Sequence, residues 1–366
     1  MTPAPLAERL SDEFGKQESQ LKIEDLATPA LVADRGRIEA NLATMARALP
    51  GSSLRPHVKA HKSTALAKRQ QAHGHSTFCA ATIREIEGMA AAGLGDDLLL
   101  ANEVLDTTRL GEVVRRGSRV TLAVDSVETI EAAVRGGVFE VLVDVNVGLP
   151  RCGCAPEEAG RLADLARRRG LVVRGVMGYE GHIVGVPDRK KREAGCTASM
   201  EKLLAAHAEV GGDVISAGGT GTYDCNKAAN EIQAGSYVLM DTAYAQLELP
   251  FEQAFFVLST VVSVSSAYSI GDAGLKSLGM DHGNPALPGA RVLFCSDEHV
   301  TFSSGPQEGE DVPSPIDWKA SSKARVGDRI RLVPAHVDPT LAYHERIYVA
   351  EGDEIVDEWE VDLRGW

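Results

Sequence analysis

The chain has 366 residues, 44% apolar and 25% charged, with a formal net charge of −14. That length accommodates one large domain plus a smaller one. The acidic balance argues against nucleic acid or an anionic membrane as a partner, and no apolar run is long enough to span a bilayer.

Residues 1–24 read as a polar helix and lead-in. Met1 to Leu21 contain no apolar signal-peptide core, which points to the cytoplasm. The six cysteines are scattered, and all are read as reduced thiols. Thr28 to Asp34 predict a strand, and Arg35 to Leu49 an amphipathic helix that stops before Pro50-Gly51. An alternation of strands and helices then begins. Its apolar runs are 53–58, 76–81, 97–101, 119–124, 139–145, 171–179, 214–217 and 232–240. Most are short and continuous, as expected of parallel strands buried on both faces. Eight such units match a (β/α)8 TIM-like barrel; a doubly wound open sheet is built from the same units. After Pro250 the runs are β-branched or alternating and are separated by turns such as Gly283-Asn284 and Gly352-Asp353. They predict a second, antiparallel β domain.

Several stretches carry candidate chemistry. In Leu54-Arg55-Pro56-His57-Val58-Lys59-Ala60-His61-Lys62, Lys59 falls where an apolar run gives way to a polar loop. In a β/α barrel that is the carboxyl end of a strand, where active-site side chains project. Burial and the neighbours His57, His61 and Lys62 are expected to lower its pKa and expose an amine nucleophile, a Schiff-base lysine. A solvated basic loop is the bland alternative. The loop Gly218-Gly219-Thr220-Gly221-Thr222-Tyr223 follows the seventh run, where barrels often bind phosphate. Its glycines allow close backbone approach to an anion, although a flexible turn has the same composition. Arg151 ends the fifth unit and can hold a carboxylate of cofactor or substrate. Tyr179 and His182 end the sixth; one can pack on a planar cofactor and the other can transfer a proton. In Pro334-Ala335-His336-Val337-Asp338-Pro339-Thr340, an extended backbone places His336 and Asp338 on one face. There they can share Mn²⁺, Mg²⁺ or Zn²⁺ with positions left open for substrate. Asp297-Glu298-His299 is a second acidic and histidine cluster.

In joint order, these motifs resemble the fold-type III, alanine-racemase-like pyridoxal-phosphate enzymes. The resemblance is strongest to the branch that holds D-threonine aldolases and metal-dependent D-serine dehydratases. Glu231 to Tyr237 and Asp272 to Lys276 also carry it. It implies that Lys59 tethers pyridoxal 5'-phosphate and that Gly219, Thr220, Gly221, Thr222 and Tyr237 bind the phosphate. It further implies that His336 and Asp338 hold a divalent metal, with Mn²⁺ first among the candidates. His61, His182 and His299 are left as candidate proton acceptors. Dehydratases of the branch usually carry cysteine where this chain has Asp338, so the aldolase side is favoured. The implied reaction is cleavage of D-threonine and related D-3-hydroxy amino acids to glycine and an aldehyde. A D-serine or 3-hydroxy-D-aspartate dehydratase, an amino-acid racemase and a non-catalytic cofactor carrier are the competing readings. The implied organisation is a cofactor-binding barrel over residues 26–250. A β domain over 251–366, joined by residues 1–25, would carry the metal, and the chain would form a homodimer.

Overall fold

The computed structural model describes residues 21–304 and 324–366. Most of the polar helix and lead-in expected over residues 1–24 lies outside them; the described end of that stretch forms a 3-10 turn at Ile23–Asp25. Strand β1 (Ala30–Asp34) leads into α1 (Arg35–Ala48), where Asp34 caps the helix by accepting the Arg37 N–H at 2.9 Å. The alternating units follow. They are α2 (Thr64–Ala72), β2 (Thr77–Ala80), α3 (Ile83–Ala91), β3 (Asp97–Leu100), α4 (Thr108–Arg115), β4 (Val120–Val124), α5 (Val127–Gly136) and β5 (Glu140–Asp144). Then come α6 (Ala159–Arg168), β6 (Val172–Gly178), α7 (Arg189–Val210), β7 (Val214–Ala217) and β8 (Glu231–Ile232). Strands β2 to β8 pair in chain order, every neighbour parallel.

The eighth position of the ring belongs to residues 54–57. The Arg55 N–H donates to Ile232 O at 2.8 Å and the His57 N–H to Ala234 O at 3.1 Å, while Pro56 O accepts from Cys79 N at 2.9 Å. The segment therefore bridges β8 on one side and β2 on the other. The full strand expected over 53–58 is reduced to single bridges at Leu54 and His57. Pro56 has no N–H to give a ladder, and the chain turns into a 3-10 helix at Val58–Ala60. The run at 232–240 is likewise shorter than expected: it is strand only at Glu231–Ile232 and coils into a 3-10 turn at Ser236–Val238.

Alternation along the strands sorts the barrel interior into layers. Asp97, Leu99 and Ala101 of the β3 segment point inward in turn. The middle layer is apolar: Cys79, Leu99, Ala123, Leu142 and Met177. The layer at the amino ends is ionic. Arg55, only 2% exposed, lies 3.0 Å from Asp97 and 2.8 Å from Glu231. Arg174 reaches the same Asp97 at 2.9 Å and donates to Thr121 Oγ1 at 2.6 Å. The third layer faces the carboxyl ends, where the site lies.

The second sheet is mixed rather than antiparallel throughout. After α8 (Thr242–Ala245) it is formed by β9 (Phe255–Val264), β10 (Ser269–Gly271), β11 (Ala290–Cys295), β12 (Val300–Ser304) and β13 (Arg329–Leu332). Helix α9 (Val337–Tyr343) precedes β14 (Arg346–Glu351) and β15 (Glu354–Glu360). The order is β11-β12-β10-β9-β1-β14-β15, with β13 also on β9. Strand β1 joins this sheet, not the barrel; it is antiparallel to β9 and parallel to β14. A large apolar core joins α1, the end of the barrel and this sheet through Leu42, Tyr237, Phe255, Val257, Leu332 and Trp359.

His61 and Tyr237, expected in the site, belong to this interior. The Ser63 N–H donates to His61 Nδ1 at 3.2 Å, which places the ring proton on Nε2, 3.3 Å from Gln70 Oε1. Gln70 Nε2 donates to the Tyr237 hydroxyl at 3.1 Å. Burial pushes the His61 pKa down to about 4, the Gln70 hydrogen bond opposing it.

Two stability predictions follow from these buried groups. Arg55→Met strips Glu231 and Asp97 of a buried partner and is expected to cost about 3–5 kcal/mol in urea unfolding, much of it recovered in Arg55→Met/Glu231→Met. For His61, the unfolded ring gains its proton below about pH 6.5 while the folded ring stays neutral until about pH 4. Stability is therefore full above pH 6.5 and declines as pH falls through that window, by about 3 kcal/mol at most. His61→Gln is expected to flatten that part of the pH–stability curve.

Candidate active site

At the carboxyl ends of the barrel strands lies a cavity of about 540 Å³, walled on one side by the second domain. That is ample for a cofactor of modest size together with a small substrate. Lys59 enters it from the 3-10 turn that follows Pro56. Its Nζ lies 3.1 Å from Asp338 Oδ1, the carboxylate arriving from the first turn of α9. This pairing reverses the expected electrostatics of Lys59. The charge of Asp338 outweighs burial and Arg151, and it raises the Lys59 pKa above the ordinary lysine value. The neighbours that were expected to depress it do not: burial, then the charge of Lys59, pushes His57 well below the usual imidazole range. His61 is neutral for the reason given above, and Lys62 is paired with the buried Glu85. Burial would raise the pKa of Asp338, but Lys59 and His336 hold it far below the usual carboxylate range.

The glycine loop and the 235–236 turn form one end of the cavity, with Gly235 packed closely against His57 and Ala60 on either side of Lys59. Gly218, Gly219, Thr220, Gly235 and Ser236 line it. Among the described residues, no hydrogen-bond acceptor is paired with the main-chain N–H groups of Thr220, Gly235 or Ser236. Such a cluster of free donors suits a phosphate. The loop is braced from behind by the fully buried Glu180, whose carboxylate accepts from Gly218 N at 3.1 Å, Thr222 Oγ1 at 2.8 Å and Asn226 Nδ2 at 3.2 Å. Thr222 thus turns away from the cavity. Gly221 lies outside the lining too; a Cβ there would collide with Val184 O, so the position requires glycine. The Thr220 hydroxyl accepts the Tyr237 N–H at 3.0 Å. Tyr237 therefore supports the loop through its backbone, with its ring in the core.

Arg151 and Tyr179 both line the cavity, the guanidinium carbon 5.3 Å from the ring centroid. His182 does not. It is exposed and packs over Gly148, where a Cβ would come within 2.7 Å of its Nε2.

His336 and Asp338 do meet, but not across an extended segment. His336 is the extended N-cap of α9, and Asp338 is the second residue of its first turn. Their Nε2 and Oδ2 atoms lie 3.5 Å apart. Pro339 fits because the first turn of a helix tolerates a missing N–H. The buried Asp241 ties this turn to the barrel. It accepts the Val337 N–H at 2.9 Å and the Tyr244 N–H at 3.1 Å. Burial opposes protonation of His336, but the hydrogen bonds and charges of Asp338 and Asp281 outweigh it and raise its pKa.

Residues to which the sequence assigned no role complete the site. Asn102, Gln233 and Tyr244 line the cavity. Asp281 and His282 sit beside His336, and the three bring potential ligand atoms within 4.8 Å of one another. A nitrogen and carboxylate donor set of this kind suits a first-row divalent cation. Asp281-His282 occurs in a glycine-bounded turn with no ligand spacing, so nothing in the local sequence separates it from an ordinary polar turn.

Comparison with known proteins agrees with this geometry. Residues 33–243 match the family model "Alanine racemase, N-terminal domain", and residues 254–350 match "Putative serine dehydratase domain". D-threonine aldolase from Arthrobacter sp. is 33% identical, over 93% of this chain and 93% of its own. A 3-hydroxy-D-aspartate aldolase from Paracoccus denitrificans (strain Pd 1222) is 31% identical, over 96% of this chain and 94% of its own. The crystal structure of D-threonine aldolase from Filomicrobium marinum superposes with a TM-score of 0.83 at 32% identity, covering 94% of this chain and 97% of that one. The chain belongs to the alanine racemase N-terminal domain family and carries a serine dehydratase-type module after the barrel.

Proposed function

We propose that this protein is a pyridoxal 5'-phosphate- and divalent-metal-dependent aldolase, a carbon–carbon lyase. It would cleave D-threonine and related D-3-hydroxy amino acids to glycine and an aldehyde. The observation that carries this reading is the convergence, in one cavity, of an amine, a phosphate-sized cluster of N–H donors and a His–Asp pair. A racemase needs the first two but has no use for the third. The relatives supply the substrate class.

The residues present fit both groups. Lys59 would tether the cofactor, Thr220, Gly235 and Ser236 would bind its phosphate, and Tyr179 with Arg151 would flank it. His336 and Asp338 would hold the metal. When bound, the cofactor supplies an electron sink for the pair released on Cα–Cβ cleavage and the metal supplies a Lewis acid for the β-hydroxyl. The protein's own contribution is positional. Arg151 offers paired N–H donors to a substrate carboxylate on the Tyr179 side. Asp338 keeps the Lys59 ammonium at the junction of the two domains. His57 on the cavity wall is held as a neutral imidazole by burial and by the charge of Lys59.

The rest of the reading concerns setting. All six cysteines are free thiols, which suits the reducing cytoplasm. Among the described residues no helix is long and apolar enough to cross a membrane. Leu275, Leu293 and Phe294 are exposed on and beside β11, an apolar surface for a homodimer to cover; a monomer in light scattering would refute the dimer.

Two measurements test the activity. With D-threonine, D-phenylserine and D-serine as substrates, glycine plus aldehyde is expected from the first two. The rate should fall to background in EDTA and recover with Mn²⁺. Ammonia in place of glycine would make the protein a dehydratase, and EDTA-insensitive racemisation would make it a racemase. Lys59→Ala is expected to abolish both turnover and the visible absorbance of bound cofactor; a variant that keeps that absorbance places the tether elsewhere.

A further inference from the structure

His336 has two ring nitrogens, and the structure distinguishes them. Nδ1 lies 2.7 Å from Asp281 Oδ2, a charge-assisted hydrogen bond that requires the proton on Nδ1. Nε2 is left facing Asp338 Oδ2 at 3.5 Å. The ring plane is held by His282, stacked on it with centroids 3.9 Å apart and planes 12° from parallel. The turn that carries Asp281 and His282 is anchored to the α9 N-terminus. Gly279 bridges His336 through the backbone and donates its N–H to Thr340 Oγ1 at 2.9 Å, and that hydroxyl in turn donates to His336 O at 2.7 Å.

We infer that Asp281 is a positioning residue for the divalent cation: it fixes the Nδ1–H tautomer of His336 and turns Nε2 toward Asp338 as the coordinating nitrogen. His282 orients the ring by stacking and is not itself a ligand. The geometry separates these roles. A nitrogen already donating to a carboxylate cannot also coordinate, so a site shared directly among Asp281, His282 and His336 would have to break the 2.7 Å hydrogen bond. The contact of Nε2 with Asp338, at 3.5 Å, is much longer than the 2.7 Å bond at Nδ1, so Nε2 is the nitrogen that a cation can take over at less cost. A carboxylate behind a coordinating imidazole both orients the ring and makes its other nitrogen more basic, which is worth about 10- to 100-fold in metal affinity.

This inference rests on the proposed metal dependence, and the test separates the two. Mn²⁺ is titrated into the cofactor-loaded, full-length protein, free Mn²⁺ being read by electron paramagnetic resonance. If the wild type binds no Mn²⁺, the metal reading itself fails. If it binds, Asp281→Asn is expected to weaken affinity about 10- to 100-fold, with the cofactor absorbance unchanged. His282→Phe keeps the stack and is expected to retain the wild-type affinity. Spin-echo modulation of the bound Mn²⁺ is expected to show one imidazole nitrogen. Wild-type affinity in Asp281→Asn would overturn the positioning role. Two coupled imidazoles, or a His282→Phe variant as defective as His336→Ala, would make His282 a ligand and overturn the assignment. Should Asp281→Asn fail to fold, the imidazole nitrogen-15 shifts of the Mg²⁺-loaded wild type decide it: a protonated Nδ1 on His336 supports the positioning role, and a protonated Nε2 overturns it.

Discussion

The contact between Lys59 and Asp338 is where the two modules meet chemically. One partner follows the segment that closes the barrel, and the other sits on the first turn of a helix in the second domain. Neither has the same meaning without the other. Without Asp338 the ammonium would be half-buried near Arg151 with no counter-charge; without Lys59 a buried carboxylate would be left with His336 alone. Removing one member of such a pair is costlier than removing both. The cavity can therefore exist in this form only when barrel and sheet are docked. Asp241 enforces that docking from the barrel side by accepting the Val337 N–H.

Layering explains how the barrel presents this chemistry. Because strand side chains alternate, a residue at the amino end, its neighbour two along and the next two along point inward at successive depths. β3 shows the pattern most plainly: Asp97 in the ionic layer, Leu99 in the apolar layer, and Ala101 on the cavity floor. The small Ala101, with Ala81, leaves room where a larger side chain would fill the space. The ionic layer of Arg55, Asp97, Arg174 and Glu231 takes the place of branched aliphatic residues. It lets the amino end be plugged by long side chains, which the short strands there could not otherwise span.

Much of this was legible in the sequence. The continuous apolar runs marked the parallel strands, and the position of Lys59 at the end of one marked the amine. The glycine loop after the seventh run marked the end of the cavity that is lined by unpaired main-chain N–H groups. What could not be read has physical causes. His61 and Lys59 look alike as basic residues of one motif, but one points into a core relay and the other into the cavity. A chain that coils into a 3-10 turn has no simple period by which to tell them apart. The prolines around His336 and Asp338 fit an extended strand and a helix start equally well, and the structure chose the helix. Asp281 and His282 lie 55 and 54 residues before His336 in the chain, so only the fold brings them together. The raised pKa of Lys59 was not legible because the charge that dominates it, Asp338, comes from the far end of the chain and meets Lys59 only in the fold.

Strand β1 sits in the middle of the mixed sheet, between β9 and β14, although about two hundred residues of barrel separate it from β9 in the chain. The barrel is thus, topologically, an insertion within the other module. A cut near residue 250 would not yield two autonomous pieces: the N-terminal fragment would carry an orphaned hydrophobic strand, and the C-terminal fragment would lack a central one. Gene fusions or domain exchanges within this architecture must therefore transplant both ends of the polypeptide together.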